Sequence, residues 1–90
     1  MSGRTILVAH TDPSYIERMV PRLVERGFHV IGPATTARVA LALAAITPVS
    51  VALIGEKLAG VRDGRALTRA LRANWGVPSI LVRSAPAGAC

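Results

Sequence analysis

Four short aliphatic runs, separated by segments with helical spacing, constrain this chain more than any other feature. Thr5-Ile6-Leu7-Val8-Ala9 is β-branched or aliphatic throughout. A run without polar alternation reads as a strand buried on both faces, as in a parallel sheet. Phe28-His29-Val30-Ile31, closed by Gly32-Pro33, reads as a second strand. Val49 to Ile54 reads as a third and Pro78 to Val82 as a fourth. After the first run, Asp12 can accept from the free amides of a helix start, and Pro13 suits the first helical position. Ile16, Met19, Val20 and Leu23 recur at helical spacing, and Gly27 is a stop signal. Pro21 predicts a kink, because its ring crowds the carbonyl of Glu17. Thr35 or Thr36 caps a second helix running to about Ile46, and Asp63 caps a third ending near Asn74. Strands alternating with amphipathic helices predict an α/β fold, an open parallel sheet with right-handed crossovers.

At 90 residues the chain is one domain or part of one. Its 51% hydrophobic and 18% charged residues exclude disorder as the main state. With aromatics at 3%, the core must be aliphatic. The net charge of +6 favours acidic partners or keeps an apolar domain soluble. The single cysteine, Cys90, makes no internal disulfide, and no CxxC or Cys/His cluster suggests a zinc site. A reducing, cytoplasmic setting is expected. The first apolar run is too short for a signal peptide. The longest uncharged stretch, Val39 to Gly55, is broken by Thr47-Pro48 and Ser50, so no membrane span is expected.

The residues in this order resemble the receiver domain of two-component response regulators. Ile6-Leu7-Val8-Ala9, a polar trio and Pro13 resemble the family's first strand and acidic corner. Gly27-Phe28-His29-Val30 resembles its second strand. Ala40-Leu41 sits where the second helix often has such a pair. Leu58-Ala59-Gly60-Val61-Arg62-Asp63-Gly64 resembles the loop after the phosphoacceptor strand, and Val77-Pro78 with Ile80-Leu81-Val82 resembles the fourth strand. The resemblance implies a flavodoxin-like receiver sheet shortened to about four strands and three helices. It spans residues 1–84 and leaves 85–90 as a small-residue tail.

The family's chemistry does not carry over. Its phosphoacceptor aspartate aligns with Gly55, which has no nucleophile. Glu56 follows, displaced by the local backbone. Its Mg²⁺-holding carboxylates align with His10 and Thr11, leaving only Asp12 nearby, a poor set for a hard divalent ion. Its switch hydroxyl aligns with Arg83. The degenerate pocket His10, Thr11, Asp12, Gly55 and Arg83 is therefore expected to hold no metal, no cofactor and no catalytic residue. It is expected to be neutral or basic through Arg83, Lys57 and His10, with an anion as a conceivable ligand. A Ser14/His10 pair lacks any residue to orient the histidine, so no enzyme activity is expected.

Two surfaces remain as candidates. Arg62, Arg65, Arg69 and Arg72 are spaced to lie along one side of the third helix, where they could neutralise nucleic-acid phosphates. The second helix is apolar all round, and Val39, Leu41, Leu43 and Ile46 could face a protein partner. The expected role is receiver-like signalling through protein contact, without aspartyl phosphorylation. A histidine kinase, another regulator or a second copy would be the partner. The alternatives are a small nucleic-acid-binding domain or a nonfunctional truncated receiver. With no fifth strand in the pattern, the fourth becomes a sheet edge, which favours self-association.

Overall fold

The computed structural model describes residues 4–60 and 63–82. Strands β1 (Thr5–Ala9), β2 (His29–Ala34), β3 (Val51–Gly55) and β4 (Ser79–Val82) form one parallel sheet in the order β2-β1-β3-β4. Helices α1 (Pro13–Glu25), α2 (Ala37–Ile46) and α3 (Gly64–Trp75) connect them in chain order. This is an open α/β sheet of the shortened flavodoxin-like receiver kind. The expected caps form. Asp12 accepts from the Ser14 amide, Thr36 from Val39 and Asp63 from Ala66. Each satisfies an amide that the first helical turn leaves unpaired.

The core lies between the sheet and the pair α2 and α3. Leu7 and Ala9 of β1 and Ala52 and Ile54 of β3 project into it, where Leu67 and Leu71 of α3 meet them. Helix α2 contributes Ala37, Ala40 and Ala44, a stripe at helical spacing that lets the helix lie close to the sheet. Helix α1 covers the other face, packs chiefly against β2 and has no fully buried residue.

One local expectation needs correction. Strand β2 does not close at Gly32-Pro33 but runs through them to Ala34. The ladder with β1 skips from Leu7↔Ile31 to Ala9↔Ala34, so the Gly-Pro pair is a bulge in an edge strand. Gly32 permits this because a Cβ there would come within 2.6 Å of the Val8 carbonyl oxygen. Helix α1 runs through Pro21 to Glu25.

Gly64, the first residue of α3, lies against the end of β3. A Cβ there would overlap the Gly55 carbonyl oxygen and stand 3.1 Å from the Glu56 Cα. Both neighbours are backbone, so neither can yield cheaply. The Gly64→Ala substitution is therefore expected to destabilise the fold by about 1–3 kcal/mol, the usual cost of overpacking. Chemical denaturation of the two proteins measures it, and equal midpoints would contradict this packing.

Candidate functional site

In an open α/β sheet, the carboxyl ends of the strands form the natural ligand crevice. Here the His10 side chain takes the place above Gly55 at that end. His10 follows β1, and its backbone N–H still donates to the Ala34 carbonyl at 2.9 Å, which holds the residue in line with the sheet. Its ring lies over Gly55. A Cβ at position 55 would stand 2.8 Å from the ring Cδ2 and 3.1 Å from Nε2. Tyr15, in the first turn of α1, stacks on the ring with centroids 4.2 Å apart and planes inclined by 16°. His10 is left 2% exposed.

Hydrogen bonding sets the ring's tautomer. Nδ1 accepts from the Asp12 backbone N–H at 3.0 Å, so in the neutral ring the proton sits on Nε2. Nε2 is enclosed and has no partner among the described residues. Burial pushes the His10 pKa below its ordinary value, with the Asp12 carboxylate acting more weakly in the opposite direction. The ring is therefore neutral at pH 7 and adds no positive charge to the pocket. Contrary to expectation, it is oriented, by Asp12, Tyr15 and the notch at Gly55. That orientation engages the Nδ1 lone pair and leaves a proton on Nε2. Neither nitrogen is free to attack a substrate or ligate a metal.

The neighbouring polar groups are similarly committed. Asp12 Oδ1 accepts from the Ser14 amide at 2.9 Å. Thr11 Oγ1 donates to the Lys57 carbonyl at 3.4 Å, joining the loops that follow β1 and β3. Glu56 points toward α3, where its Oε2 lies 3.4 Å from Arg65 Nη2. Among the described residues, no group of three or more His, Cys, Asp or Glu is placed to hold a metal ion. Arg83, the fifth residue expected in this pocket, lies outside the described residues.

The two candidate surfaces also change shape. Helix α3 begins at Gly64, so Arg62 is not part of it and lies outside the described residues. Arg65, Arg69 and Arg72 are exposed on α3, and Arg65 is shared with Glu56. On α2, Leu41 and Leu43 pack partly against the core, whereas Val39 is exposed and Ile46 is 78% exposed. Ile46 borders a groove of about 470 Å³ that also involves Ala45, Pro48, Trp75 and Val77. Sequence reasoning missed Tyr15 and Trp75. The signal for Tyr15 was an aromatic residue five positions after a histidine at a strand end. Trp75 carried no comparable signal.

Several solved structures share this architecture. The signal receiver domain of a modulated diguanylate cyclase from Desulfovibrio desulfuricans G20 matches with a TM-score of 0.84 and 22% identity, over 92% of this chain and 66% of that one. The chain has the receiver fold. A sensor protein from Polaromonas sp. JS666 matches with a TM-score of 0.77 and 26% identity, over 94% and 70% of the respective chains. A single-site mutant of the response regulator MaeR, bound to sulfate, matches with a TM-score of 0.79 and 24% identity, over 93% and 70%. This receiver-fold chain thus spans about two thirds of the length of the structures it matches. No protein-family model and no curated protein matches its sequence.

The buried imidazole gives the fold a pH dependence of definite sign. The folded pKa of His10 lies below that of an unfolded histidine, about 6.5. Its contribution to stability is complete above about pH 6.5 and is lost as pH falls from there toward the folded value, because the unfolded chain binds the proton first. The thermal unfolding midpoint is expected to drop on going from about pH 7.5 to 5. In the His10→Phe protein the same drop should be smaller, and an equal drop in both proteins would assign the effect elsewhere.

Proposed function

We propose that this chain is a receiver-like signalling domain that works by protein contact and does not use aspartyl phosphorylation. One observation carries the reading. The place where a receiver would present its phosphoacceptor holds Gly55, and the neutral ring of His10 fills the room above it. A divalent ion seeks several oxygen ligands. Among the described residues at this end, Asp12 caps α1, Asp63 caps α3 and Glu56 faces Arg65.

The contact surface we assign to this role is the exposed side of α2, where Val39 and Ile46 stand out, together with the groove beside Trp75. Exposed apolar residues that cluster in this way mark interaction sites. A histidine kinase, another regulator or a second copy of the chain would be the partner. The nucleic-acid alternative is weaker. Arg65 is partly neutralised by Glu56, which leaves Arg69 and Arg72 on the helix face. No described helix is long and apolar enough to cross a membrane.

Incubation with a small phosphodonor and Mg²⁺ tests the proposal. The intact mass is expected to stay unchanged. An acid-labile, stoichiometric phosphoryl adduct would overturn it.

A further inference from the structure

Among the described residues, His10 is the only buried one with a titratable side chain. Its ring lies between two walls of different kinds. One is the backbone of Gly55, which leaves room for an α-hydrogen and nothing larger. That wall is fixed, because Gly55 is the last residue of β3 and pairs with both neighbouring strand ends through the sheet. The other wall is the Tyr15 ring, stacked at 4.2 Å. Tyr15 is half-buried and stands in the first turn of α1, a helix with no fully buried residue. The ring is thus clamped between rigid sheet and a lightly anchored helix end.

The clamp suits only the neutral ring. Imidazolium donates at both nitrogens and accepts at neither. A proton on Nδ1 would confront the Asp12 N–H, donor against donor, across 3.0 Å. The Nε2 proton is enclosed with no acceptor among the described residues. A buried charge without a partner costs far more than a buried neutral group. The surrounding groups do little to relieve it. From α1, Asp12 commits Oδ1 to the Ser14 amide, and its carboxylate favours the charged ring less than burial opposes it. Tyr15 is held neutral by burial, and Arg18 beside it is a cation. After β3, Glu56 faces Arg65, and Lys57 meets Thr11 through its carbonyl. Asp63 caps α3, and β2 offers only the Ala34 carbonyl, which already accepts from the His10 amide.

We propose that protonation of His10 turns its ring out of the notch above Gly55 and frees the first turn of α1 from the end of the sheet, so that the domain has a closed form and an acid-opened form. The Nδ1 hydrogen bond and the Tyr15 stack are lost together, because both need the ring over Gly55. The main core is not involved. Leu7, Ile54, Leu67 and Leu71 lie between the sheet and the pair α2 and α3, on the face away from α1. Opening is therefore a local transition, separate from unfolding. The closed form keeps His10 neutral, and the open form takes up a proton below the ordinary value of about 6.5. Falling pH drives opening, and each tenfold preference for the closed form lowers the midpoint by about one pH unit. The consequence is control of access, since only the open form presents the Gly55 notch and the inner face of Tyr15.

The switch does not rest on the signalling reading, which the phosphodonor assay tests separately. An NMR titration of the whole chain from about pH 7.5 to 4.5, across the histidine range, tests it. At neutral pH, nuclear Overhauser contacts should join the His10 ring to the Tyr15 ring and to the Gly55 α-protons. Below the midpoint these should vanish, while contacts among Leu7, Ile54, Leu67 and Leu71 persist. The other histidine, His29, is exposed and pairs with Thr5 at the opposite end of the sheet, so signals at Gly55 report on His10. His10→Phe has no proton to gain and should keep its stack on Tyr15 throughout. Gly55→Ala should expel the ring and give, at neutral pH, signals for Asp12 and Tyr15 that match the acid form of the parent. If that variant does not fold, the parent and His10→Phe decide the matter. A stack that survives on the protonated ring would overturn the proposal. So would its loss only together with the core contacts, the same transition in His10→Phe, or a folded Gly55→Ala protein that retains the stack.

Discussion

An imidazole ring is laid over a glycine at the carboxyl end of this sheet, and the neighbouring described residues are arranged around it. His10 needs the missing side chain of Gly55, because even a Cβ would meet its ring. The Gly55 backbone in turn needs the missing side chain of Gly64, because a Cβ there would overlap the Gly55 carbonyl. The end of β1, the end of β3 and the start of α3 thus lie closer together than side chains would permit. Asp12 joins the same unit from α1. Its amide fixes the ring through Nδ1, and its carboxylate caps the helix that brings Tyr15 over the imidazole.

This arrangement replaces charge by packing. A pocket built to hold a metal ion and a phosphoryl group needs anionic oxygens and open volume. Here a neutral ring lies over Gly55, and the Asp12 and Glu56 carboxylates serve a helix cap and an arginine. The Nε2 proton is enclosed without a partner, which costs free energy. Stacking on Tyr15 and the hydrogen bond from Asp12 offset that cost. Exposed apolar groups instead gather elsewhere, at Ile46 and Trp75 below the helices and at Ile80 on the sheet edge.

Much of the fold was legible in the sequence because its signals are local. Four aliphatic runs, three capping side chains and the glycine and proline punctuation place all seven elements within a few residues. The misreading at Gly32-Pro33 has a physical cause. The pair looks like a strand terminator, but ladder bonds to β1 resume at Ala34. The sequence places a glycine, Gly55, at the end of the third strand. The fate of the pocket was not legible, because it depends on where the His10 ring goes. That is a contact across 45 residues, between a strand end and a glycine whose own contribution is an absence. The apolar character of α2 was also legible, but not its division into an alanine stripe toward the core and Val39 and Ile46 toward solvent.

The state of the His10 ring is the most direct test of this account. A long-range ¹H–¹⁵N spectrum of the folded protein at neutral pH reports which ring nitrogen bears the proton. The account predicts a neutral ring protonated at Nε2, with a titration displaced below the ordinary histidine range. A ring protonated at Nδ1, or one that titrates as a free histidine does, would contradict the closed notch over Gly55.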